Sequence, residues 1–249
     1  MAQGNDRTTP AITGLTGIEP VGDDGDGDFI DDGGADRPLT RRGRNTYDRL
    51  VAAATEVFNA KPYADARITE ITALAGVATG SFYTYFESKD ALFRIVARVA
   101  LDDMLHAPRP DPGNTAGDPV RDVAFASRQY FHACYRHRLI AQSIEQLTVA
   151  DPDVRGSRRD TLLQGAKRAE RWIVRLQEAG ICDPTIDPWY TGLALQAMNV
   201  SVAYDQLVHK EVEEAEALID SLVDAVTPVW ARAVGLEDWL VAGRSGASG

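Results

Sequence analysis

The sequence predicts an all-α protein in which a small N-terminal helical domain is joined to a larger one, with about nine helices in total. Apolar residues recur at intervals of three and four along most of the 249 residues, as the buried face of a helix requires. Glycines and prolines separate these segments at points where helices end. We expect the domains at residues 41–88 and 89–236, with tails at 1–40 and 237–249.

The first 40 residues are predicted to form a disordered acidic tail, because their composition buries too little apolar surface to offset the entropy cost of ordering. The charge balance is −7 over residues 1–37, +3 over 38–98 and −7 over the remainder. A phosphate-binding surface needs positive charge, and the middle segment supplies it. The acidic tail is then either simply solvated or a competitor of DNA phosphates for that basic segment.

A basic arm is predicted just before the first helix, which Asn45 or Thr46 would cap. Such arms commonly reach along the DNA backbone or into the minor groove, although ordinary surface arginines are the alternative. The arm consists of Arg41, Arg42 and Arg44. The first helix carries one apolar face and ends at Lys61-Pro62, because proline cannot continue a helix. That face comprises Tyr47, Leu50, Val51, Ala54, Val57 and Phe58.

A helix-turn-helix pattern occupies ITEITALAGVATGSFYTYFESK, residues Ile68–Lys89. Thr69 suits the N-cap of the first of its two helices, and Gly76 can take the positive φ with which a helix ends. A second short helix begins near Ala78–Thr79. This arrangement is typical of the motif whose second helix enters the DNA major groove. The side chains expected to face the first helix of the domain are Ile71, Leu74 and Phe82.

Several residues of this block match one family pattern. They are Ala75-Gly76-Val77, Phe82-Tyr83-Thr84-Tyr85-Phe86 and Lys89, followed by Asp90-Ala91-Leu92-Phe93. The block resembles the DNA-binding end of the TetR family of bacterial transcriptional regulators, closely over about Thr46–Val99. Beyond that range, the helical layout and the length agree with the family. The resemblance implies a TetR-like homodimer that binds double-stranded operator DNA and responds to a small-molecule effector.

Positions within the motif indicate which residues contact DNA. The first residues of a recognition helix face base edges, whereas contacts to phosphates set the register without reading sequence. Candidates for base contacts are Thr79, Gly80, Ser81 and Tyr83. Further candidates, mainly for phosphates, are Thr69, Thr84, Tyr85 and Lys89. Phe82 and Phe86 are expected in the core. The helix lacks Arg, Asn and Gln, so its residues do not indicate an operator sequence.

The rest of the chain is predicted to be helical. A helix from Lys89 to about Ala107 leads from the first domain into the second, and the segment PRPDPGNTAGDP then interrupts the helical pattern. Further helices are expected at about Asp118–Tyr135, His137–Val149, Asp153–Ala179, Pro188–His209 and Val212–Val234. Asp187 and Pro188 suit the N-cap and first residue of a helix, and Gly180 suits the end of one.

The last two helices are apolar on more than one side, so something must cover the surplus apolar surface. The resemblance implies a four-helix dimer interface there, whereas the alternative is that the surplus belongs to the core of the domain itself. The residues expected at the interface are Leu193, Ala197, Val200, Tyr204, Leu218, Leu222, Val226 and Trp230.

Polar and amphipathic residues on otherwise apolar helices indicate a ligand pocket. The candidates are Met104, Tyr130, Cys134, Gln142, Glu145, Gln146, Trp172 and Asn199, together with Gln196 and Tyr204. Each is alternatively a hydrogen-bonded core residue or a surface residue. A metal or nucleophile cluster is disfavoured, because helical spacing does not bring three of the relevant side chains onto one face. Those side chains are His132, Cys134, His137 and Glu145.

The combined prediction is a TetR-like transcriptional regulator, most simply a repressor that binds a palindromic operator as a dimer and is released by a small, largely apolar ligand. Two cysteines and the lack of any run near ~18 apolar residues favour a cytoplasmic protein without a membrane partner. No cofactor or reaction is expected, since the known glycine-loop and catalytic motifs are missing. The alternatives are a helical ligand-binding protein or enzyme without specific DNA binding, and an activator or partner-controlled relative.

Overall fold

The computed structural model describes residues 40–106 and 117–240, and within these ranges the regular structure is helical, as predicted. The helices are α1 Arg41–Ala60, α2 Ile68–Ala75, α3 Thr79–Phe82, α4 Lys89–Leu105, α5 Pro119–Arg136, α6 Arg138–Thr148, α7 Pro152–Glu178, α8 Pro188–Ala203 and α9 Ala215–Ala233. A 3-10 turn, Tyr63–Asp65, precedes α2, and a π-helical turn, Tyr204–Val208, continues α8. The predicted acidic tail, most of the proline-rich interruption and residues 241–249 lie outside the described residues.

Helices α1–α3, which we call the head, pack together around fully buried apolar side chains. Leu50 and Phe58 of α1 meet Ile71 of α2 and Phe82 of α3 in this core. The prediction that Leu74 joins them is wrong, because its side chain is 50% exposed. Helix α2 instead directs Ile71, Thr72 and Ala75 inward, and Leu74 lies on its exposed side.

The beginnings of α1 and α2 differ from the sequence prediction. Thr40 caps α1, since its Oγ1 accepts a hydrogen bond from the Gly43 N–H at 3.2 Å, and the helix therefore starts earlier than Asn45 or Thr46. The three arginines predicted as a preceding arm lie inside the first turn of α1; they are Arg41, Arg42 and Arg44. Helix α2 is capped at Arg67, whose N–H donates to Glu70 Oε2 at 3.1 Å, so the predicted cap at Thr69 is wrong.

Helices α4–α9, which we call the body, pack together with the long helix α7 against α8, α4 and α6. Three of its helices begin with the same dipeptide, because an aspartate carboxylate caps the free N–H groups and proline suits the first helical position. These are Asp118-Pro119, Asp151-Pro152 and Asp187-Pro188. Gly192 allows α7 and α8 to approach closely, since a Cβ there would lie 3.0 Å from Ala166 O.

The C-terminal end of the described chain differs from prediction in two places. Helix α9 begins at Ala215 rather than near Val212. Residues 237–240, predicted as the start of a tail, are helical, and Trp239 and Leu240 pack against the core. Within the described ranges, no helix is long and apolar enough to cross a bilayer, and no group of three or more His, Cys, Asp or Glu residues is placed to hold a metal ion.

Candidate nucleic-acid interface and body cavity

The turn between α2 and α3 is built around Gly76, whose φ of 65° lies in the left-handed region. The Gly76 N–H donates to Ala73 O at 3.1 Å, and the Val77 N–H donates to Thr72 O at 3.0 Å. This pairing satisfies the last carbonyls of α2 and turns the chain sharply. The glycine that the sequence indicated as a helix stop therefore sets the angle at which α3 leaves α2.

Arg49 holds the same turn from the outside. Its Nη2 donates to Gly76 O at 3.1 Å and also to Ala75 O, which joins the middle of α1 to the end of α2. A Cβ on Gly76 would lie only 2.7 Å from Arg49 Nη2, so this position combines a glycine conformation with a close approach. Arg49 did not emerge from the sequence, because nothing local connects a residue of α1 with a carbonyl 27 positions later.

Helix α3 presents one face to the core and the other to solvent. Phe82 and Phe86 are buried, as predicted, and their ring centroids lie 5.5 Å apart. Tyr83 is 61% exposed, although tyrosine is a large and partly apolar side chain. The other candidates for base contact on this face are Thr79 and Gly80, both exposed, and Ser81, which is half-buried. The chain thus brings the predicted recognition residues together on one accessible surface.

Lys89, expected at a DNA phosphate, is engaged within the protein in this structure. Its Nζ donates to Tyr63 O at 2.9 Å and to Ala66 O at 3.0 Å, and lies 4.2 Å from the centroid of the Tyr63 ring. These contacts fasten the start of α4 to the loop before α2. Of the other expected phosphate contacts, Thr84 is exposed and Tyr85 is half-buried against the core.

The beginning of α1 is an exposed basic surface. Its first turn carries no acidic residue, and three side chains point into solvent: Arg41, Arg42 and Arg44. Positive side chains at the positive end of a helix dipole are unfavourable on their own. The same end of a helix favours phosphate, because its free N–H groups and its dipole both attract anions. This surface is therefore electrostatically suited to a nucleic-acid backbone.

A polar contact joins the head to the body at His137, a buried residue between α5 and α6. On α1, Asn59 Nδ2 lies 3.2 Å from His137 Nδ1. On α4, Asp103 Oδ2 lies 2.9 Å from His137 Nε2. Asp103 Oδ2 also accepts a hydrogen bond from Arg136 Nη1 at 2.7 Å. We assign the Nε2–H tautomer to His137, because its Nδ1 faces an amide donor. The junction therefore connects α1, α4 and the α5–α6 corner.

The body contains a cavity of about 280 Å³ between α4, α5, α7 and α8. Its apolar wall comes from Leu101, Met104, Leu105, Leu162 and Val200. Its polar wall comes from Tyr130, Thr148, Arg155, Arg158, Arg159, Thr161, Gln196 and Tyr204. The three arginines were not identified from the sequence, because arginines on a helix normally indicate a solvated face.

Only some of the predicted pocket residues line this cavity. Met104, Tyr130, Gln196 and Tyr204 do so. Six predicted residues do not: Cys134, Gln142, Glu145, Gln146, Trp172 and Asn199.

The six residues outside the cavity wall mostly have partners within the protein. Gln142 Nε2 donates to Val208 O, and Glu145 Oε2 lies 2.5 Å from His209 Nε2, so both hold the π-helical turn. Trp172 packs edge-on against Trp230, whose Nε1–H donates to Asn199 Oδ1 at 3.2 Å in the core. Cys134 is fully buried behind the cavity, where burial raises the pKa of its thiol to about 12.

The predicted dimer residues divide into two groups. Leu222, Val226 and Trp230 are buried within their own chain, because α9 packs mainly on α5, and Val200 and Tyr204 line the cavity. The protomer itself already covers Leu222, Val226 and Trp230, and a role of these five residues in an interface stays a prediction. Leu193 and Leu218 are half-buried and Ala197 is exposed. Small exposed residues share these helices: Ala194, Ala197 and Ser201 on α8 and Ala217, Ser221 and Ala225 on α9.

Comparison with known proteins identifies the head. Residues 50–96 match the family model described as bacterial regulatory proteins, tetR family. Two Bacillus subtilis (strain 168) proteins named as uncharacterized HTH-type transcriptional regulators are similar to part of the chain. YdgC is 40% identical over 55 residues, which make up 22% of this chain and 28% of the relative. YvdT is 41% identical over 59 residues, or 24% of this chain and 30% of the relative.

Solved structures extend the likeness to the body. A Mesorhizobium loti MAFF303099 protein assigned to the TetR family superposes with a TM-score of 0.61 at 16% identity, over 79% of this chain and all of that one. A transcriptional regulator from Rhodococcus sp. Rha1 superposes with a TM-score of 0.58 at 22% identity, over 75% of this chain and 96% of that one. At these identities the likeness shows the fold, and the predicted TetR-like architecture is confirmed.

Proposed function

Because residues 50–96 match the family model described as bacterial regulatory proteins, tetR family, we propose that this chain is a transcriptional repressor that binds a palindromic operator as a homodimer and is released by a small molecule. The observation that carries the proposal is the exposed face of α3. It presents Thr79, Gly80 and Tyr83 to solvent over a core anchored by Phe82 and Phe86. An exposed tyrosine can present both an apolar ring and a polar hydroxyl to a partner.

Each exposed group on α3 has a chemical role against base edges. The Thr79 hydroxyl can hydrogen-bond a base, or its methyl can contact a thymine methyl. No atom lies within 4 Å of a Cβ built on Gly80, so the open space there admits close approach of DNA to the backbone. The Tyr83 ring supplies apolar contact and its hydroxyl a hydrogen bond.

The first turn of α1 would bind phosphates beside this reading surface. Arg41, Arg42 and Arg44 add side-chain charge to the helix N-terminus, and each phosphate neutralised releases condensed counterions. Thr84 and Tyr85 follow α3 and would add phosphate contacts on its other side, with Thr69 near the start of α2. These contacts fix register, whereas α3 reads sequence.

Selection of bound duplexes from a random pool tests the DNA-binding proposal. We expect wild type to enrich a palindrome, and Tyr83→Ala to lose about 10- to 100-fold in affinity for it while keeping non-specific binding. Arg42→Gln should reduce the salt dependence of binding by about one phosphate contact, a change of about 0.9 in slope. Arg171→Gln, an exposed change on α7, is the matched control. Failure of wild type to enrich any sequence would favour the alternative of a helical ligand-binding protein.

The homodimer is proposed to form through the small-residue surface of α8 and α9. Small exposed side chains permit close approach of helices, and two helices from each protomer would complete a four-helix bundle. Sedimentation velocity at micromolar concentration should give a dimer for wild type. Ala197→Arg combined with Ala225→Arg should give a folded monomer, whereas Ala64→Arg, an equal change at an exposed head position, should remain dimeric. A wild-type monomer would overturn this part of the proposal.

Helix α4 is the proposed route from effector to DNA. Leu101, Met104 and Leu105 at its C-terminal end line the cavity, and Lys89 at its N-terminal end holds the head. These ends are about 24 Å apart at 1.5 Å per residue, so a small tilt is amplified across the dimer. An effector that prefers a body conformation with tilted α4 would shift the population away from the DNA-competent state. Titration of the bound operator complex with effector would then show loss of DNA.

A further inference from the structure

The cavity of the body carries an unusual concentration of positive charge. Arg155, Arg158 and Arg159 line it from successive positions of one face of α7, at the i, i+3 and i+4 spacing that places side chains side by side. Like charges at this spacing repel each other. Arg155 and Arg159 are exposed and Arg158 is half-buried. A bound anion would reduce the repulsion among these three guanidinium groups.

The protein itself does not supply that negative charge. Of the acidic residues close to them in the sequence, Asp151 and Asp153 pair with Arg94 of α4, at 2.9 and 3.6 Å, and Asp160 directly follows Arg159. Among the described residues, none of the three cavity arginines lies within 4.0 Å of a carboxylate oxygen. Acidic side chains are abundant in the body, whose sequence from residue 99 onward has a balance of −7. Their absence from this wall leaves the arginines available for a bound anion.

The contacts that the arginines do make hold them around the cavity without neutralising them. Arg155 Nη1 donates to Thr148 O at 3.1 Å, and the Arg158 guanidinium lies 5.1 Å from the centroid of the Tyr204 ring. Stacking on an aromatic face and a single carbonyl contact leave other N–H donors of each planar fork unused. Such a fork fits the two oxygens of a carboxylate or phosphate.

The opposite wall requires an apolar partner. Leu101, Met104 and Leu105 of α4 and Leu162 of α7 enclose the remaining space. The two tyrosines of the cavity do not compete as anions, since burial raises the pKa of Tyr204 to about 12 and that of Tyr130 well above its ordinary value. Their hydroxyls remain hydrogen-bond donors at neutral pH. A ligand that satisfies both walls must be charged at one end and apolar along its length.

We propose that the effector is an amphipathic anion, with a carboxylate or phosphate head held by Arg155, Arg158 and Arg159 and an apolar chain packed between α4 and α7. This inference rests on the proposed function in taking the body cavity as the effector site, and it replaces the expectation of a largely apolar ligand. Cations are excluded by the arginines. Neutral chains leave the arginines uncompensated and bind more weakly.

Calorimetric titration of the full-length protein with a set of ten-carbon probes tests the proposal. Decanoate and decyl phosphate should bind about 10- to 100-fold more tightly than 1-decanol, the difference expected for charge-assisted hydrogen bonds, and decyltrimethylammonium should not bind. The comparison of decanoate with decyl phosphate distinguishes the two head groups. Equal affinity for decanoate and decanol would overturn the proposal.

Variants of the arginines on α7 test whether these side chains recognise the charged head group. Arg158→Gln combined with Arg159→Gln should abolish the preference for decanoate over decanol. Arg171→Gln, on an exposed turn of the same helix, should leave that preference unchanged. If the double variant shows no cooperative thermal unfolding, Arg159→Gln alone replaces it. This single variant should reduce the preference for decanoate over decanol at least several-fold. Wild-type discrimination in these variants would show that the arginines do not read the head group.

Operator binding in the same preparations separates this inference from the proposed function. If the protein binds its selected operator but no decyl anion, the proposal of an amphipathic anionic effector is wrong, and the proposal of a DNA-binding regulator is retained. If decanoate binds through the arginines but the operator complex is unaffected, the anion site stands and release by this ligand is wrong. Loss of the operator complex with decanoate, and its retention in the double variant, would support both.

Discussion

The exposed surface of α3 and the cavity of the body are built in different ways. The α3 surface comes from residues close together in the sequence, held by backbone hydrogen bonds at Gly76 and by one side chain from α1, Arg49. The cavity is assembled from α4, α5, α7 and α8, across positions 101–204. A local surface leaves a motif in the sequence, whereas an assembled cavity leaves only scattered residues of ordinary type.

The two regions also differ in how firmly their groups are held. The turn before α3 joins two helices through a conformation that only glycine adopts freely, so it is rigid and intolerant of change. The cavity is bordered by a π-helical turn at Tyr204–Val208 and by three arginines, of which Arg158 is half-buried while Arg155 and Arg159 are exposed. Such turns are frequent where a helix serves a binding site. This contrast predicts that variants of the Gly76 turn lose structure and DNA binding together, while variants of the cavity change the response to ligand.

The largest effect is expected for Gly76→Ala. The alanine must adopt a φ of 65° and its Cβ must lie 2.7 Å from Arg49 Nη2, so the strain of about 1–3 kcal/mol is increased by the displaced guanidinium. The free energy of unfolding should fall by at least this amount in a denaturant titration, and operator binding should be lost.

Gly80→Ala is the matched control for the turn. Its Cβ meets no atom within 4 Å, and alanine in place of glycine favours a helix by about 1 kcal/mol. Stability should be unchanged or raised, while operator affinity falls because the methyl separates α3 from the bases. Equal destabilisation by both changes would contradict the special role of the Gly76 turn.

Lys89→Ala should have the next largest effect and decides between two roles for this residue. If its ammonium braces the loop before α2 through Tyr63 O and Ala66 O, stability should fall by about 1.5 kcal/mol, with faster hydrogen exchange around residues 61–67. If it instead binds a phosphate, stability should be unchanged and the salt slope of DNA binding should fall by about 0.9. We expect the first result.

Asn59→Ala should change communication between the two regions with little effect on either alone. Among the described residues its Oδ1 is buried without a hydrogen-bond partner, so the amide contributes to the head–body junction mainly through Nδ2 and His137. Coupling between effector and operator should change by about 0.5–2 kcal/mol, measured as the ratio of effector affinities with and without DNA. Thr55→Ala, a change on the same helix away from His137, should leave that ratio unchanged.

The smallest effect at neutral pH concerns Cys134. Burial raises its pKa to about 12, so the folded protein retains the thiol where the unfolded chain, with an ordinary pKa of 9.0, forms the thiolate. The stability from the neutral thiol is complete below pH 9 and is lost as pH rises toward 12. Urea midpoints should therefore decline over this range, less steeply in Cys134→Ala. At pH 7.5, thiol reagents should label Cys134 only after denaturation.

Much of the helical pattern was predictable from local chemistry. Asp187-Pro188 and Gly180 mark helix ends because a carboxylate cap, a fixed proline φ and a glycine in the left-handed region act within a few residues. Local chemistry also gave the wrong N-cap for α2. The predicted cap was Thr69, but Glu70 Oε2 accepts a hydrogen bond from the Arg67 N–H, and the helix begins after Arg67. Leu74 was misplaced because residues three and four positions after Ile71, Leu74 and Ala75, are both compatible with one apolar face of α2, and only Ala75 is buried.

The sequence by itself determined the all-helical class, the glycine turn and the burial of Phe82 and Phe86, since each follows from spacing along one short segment. Only the tertiary structure decided that Leu222, Val226 and Trp230 face inward, and that three arginines of α7 meet the apolar end of α4 in one cavity. The physical reason is that an amphipathic pattern states which sides of a helix avoid water. It does not state whether a neighbouring helix, a second protomer or a ligand covers them.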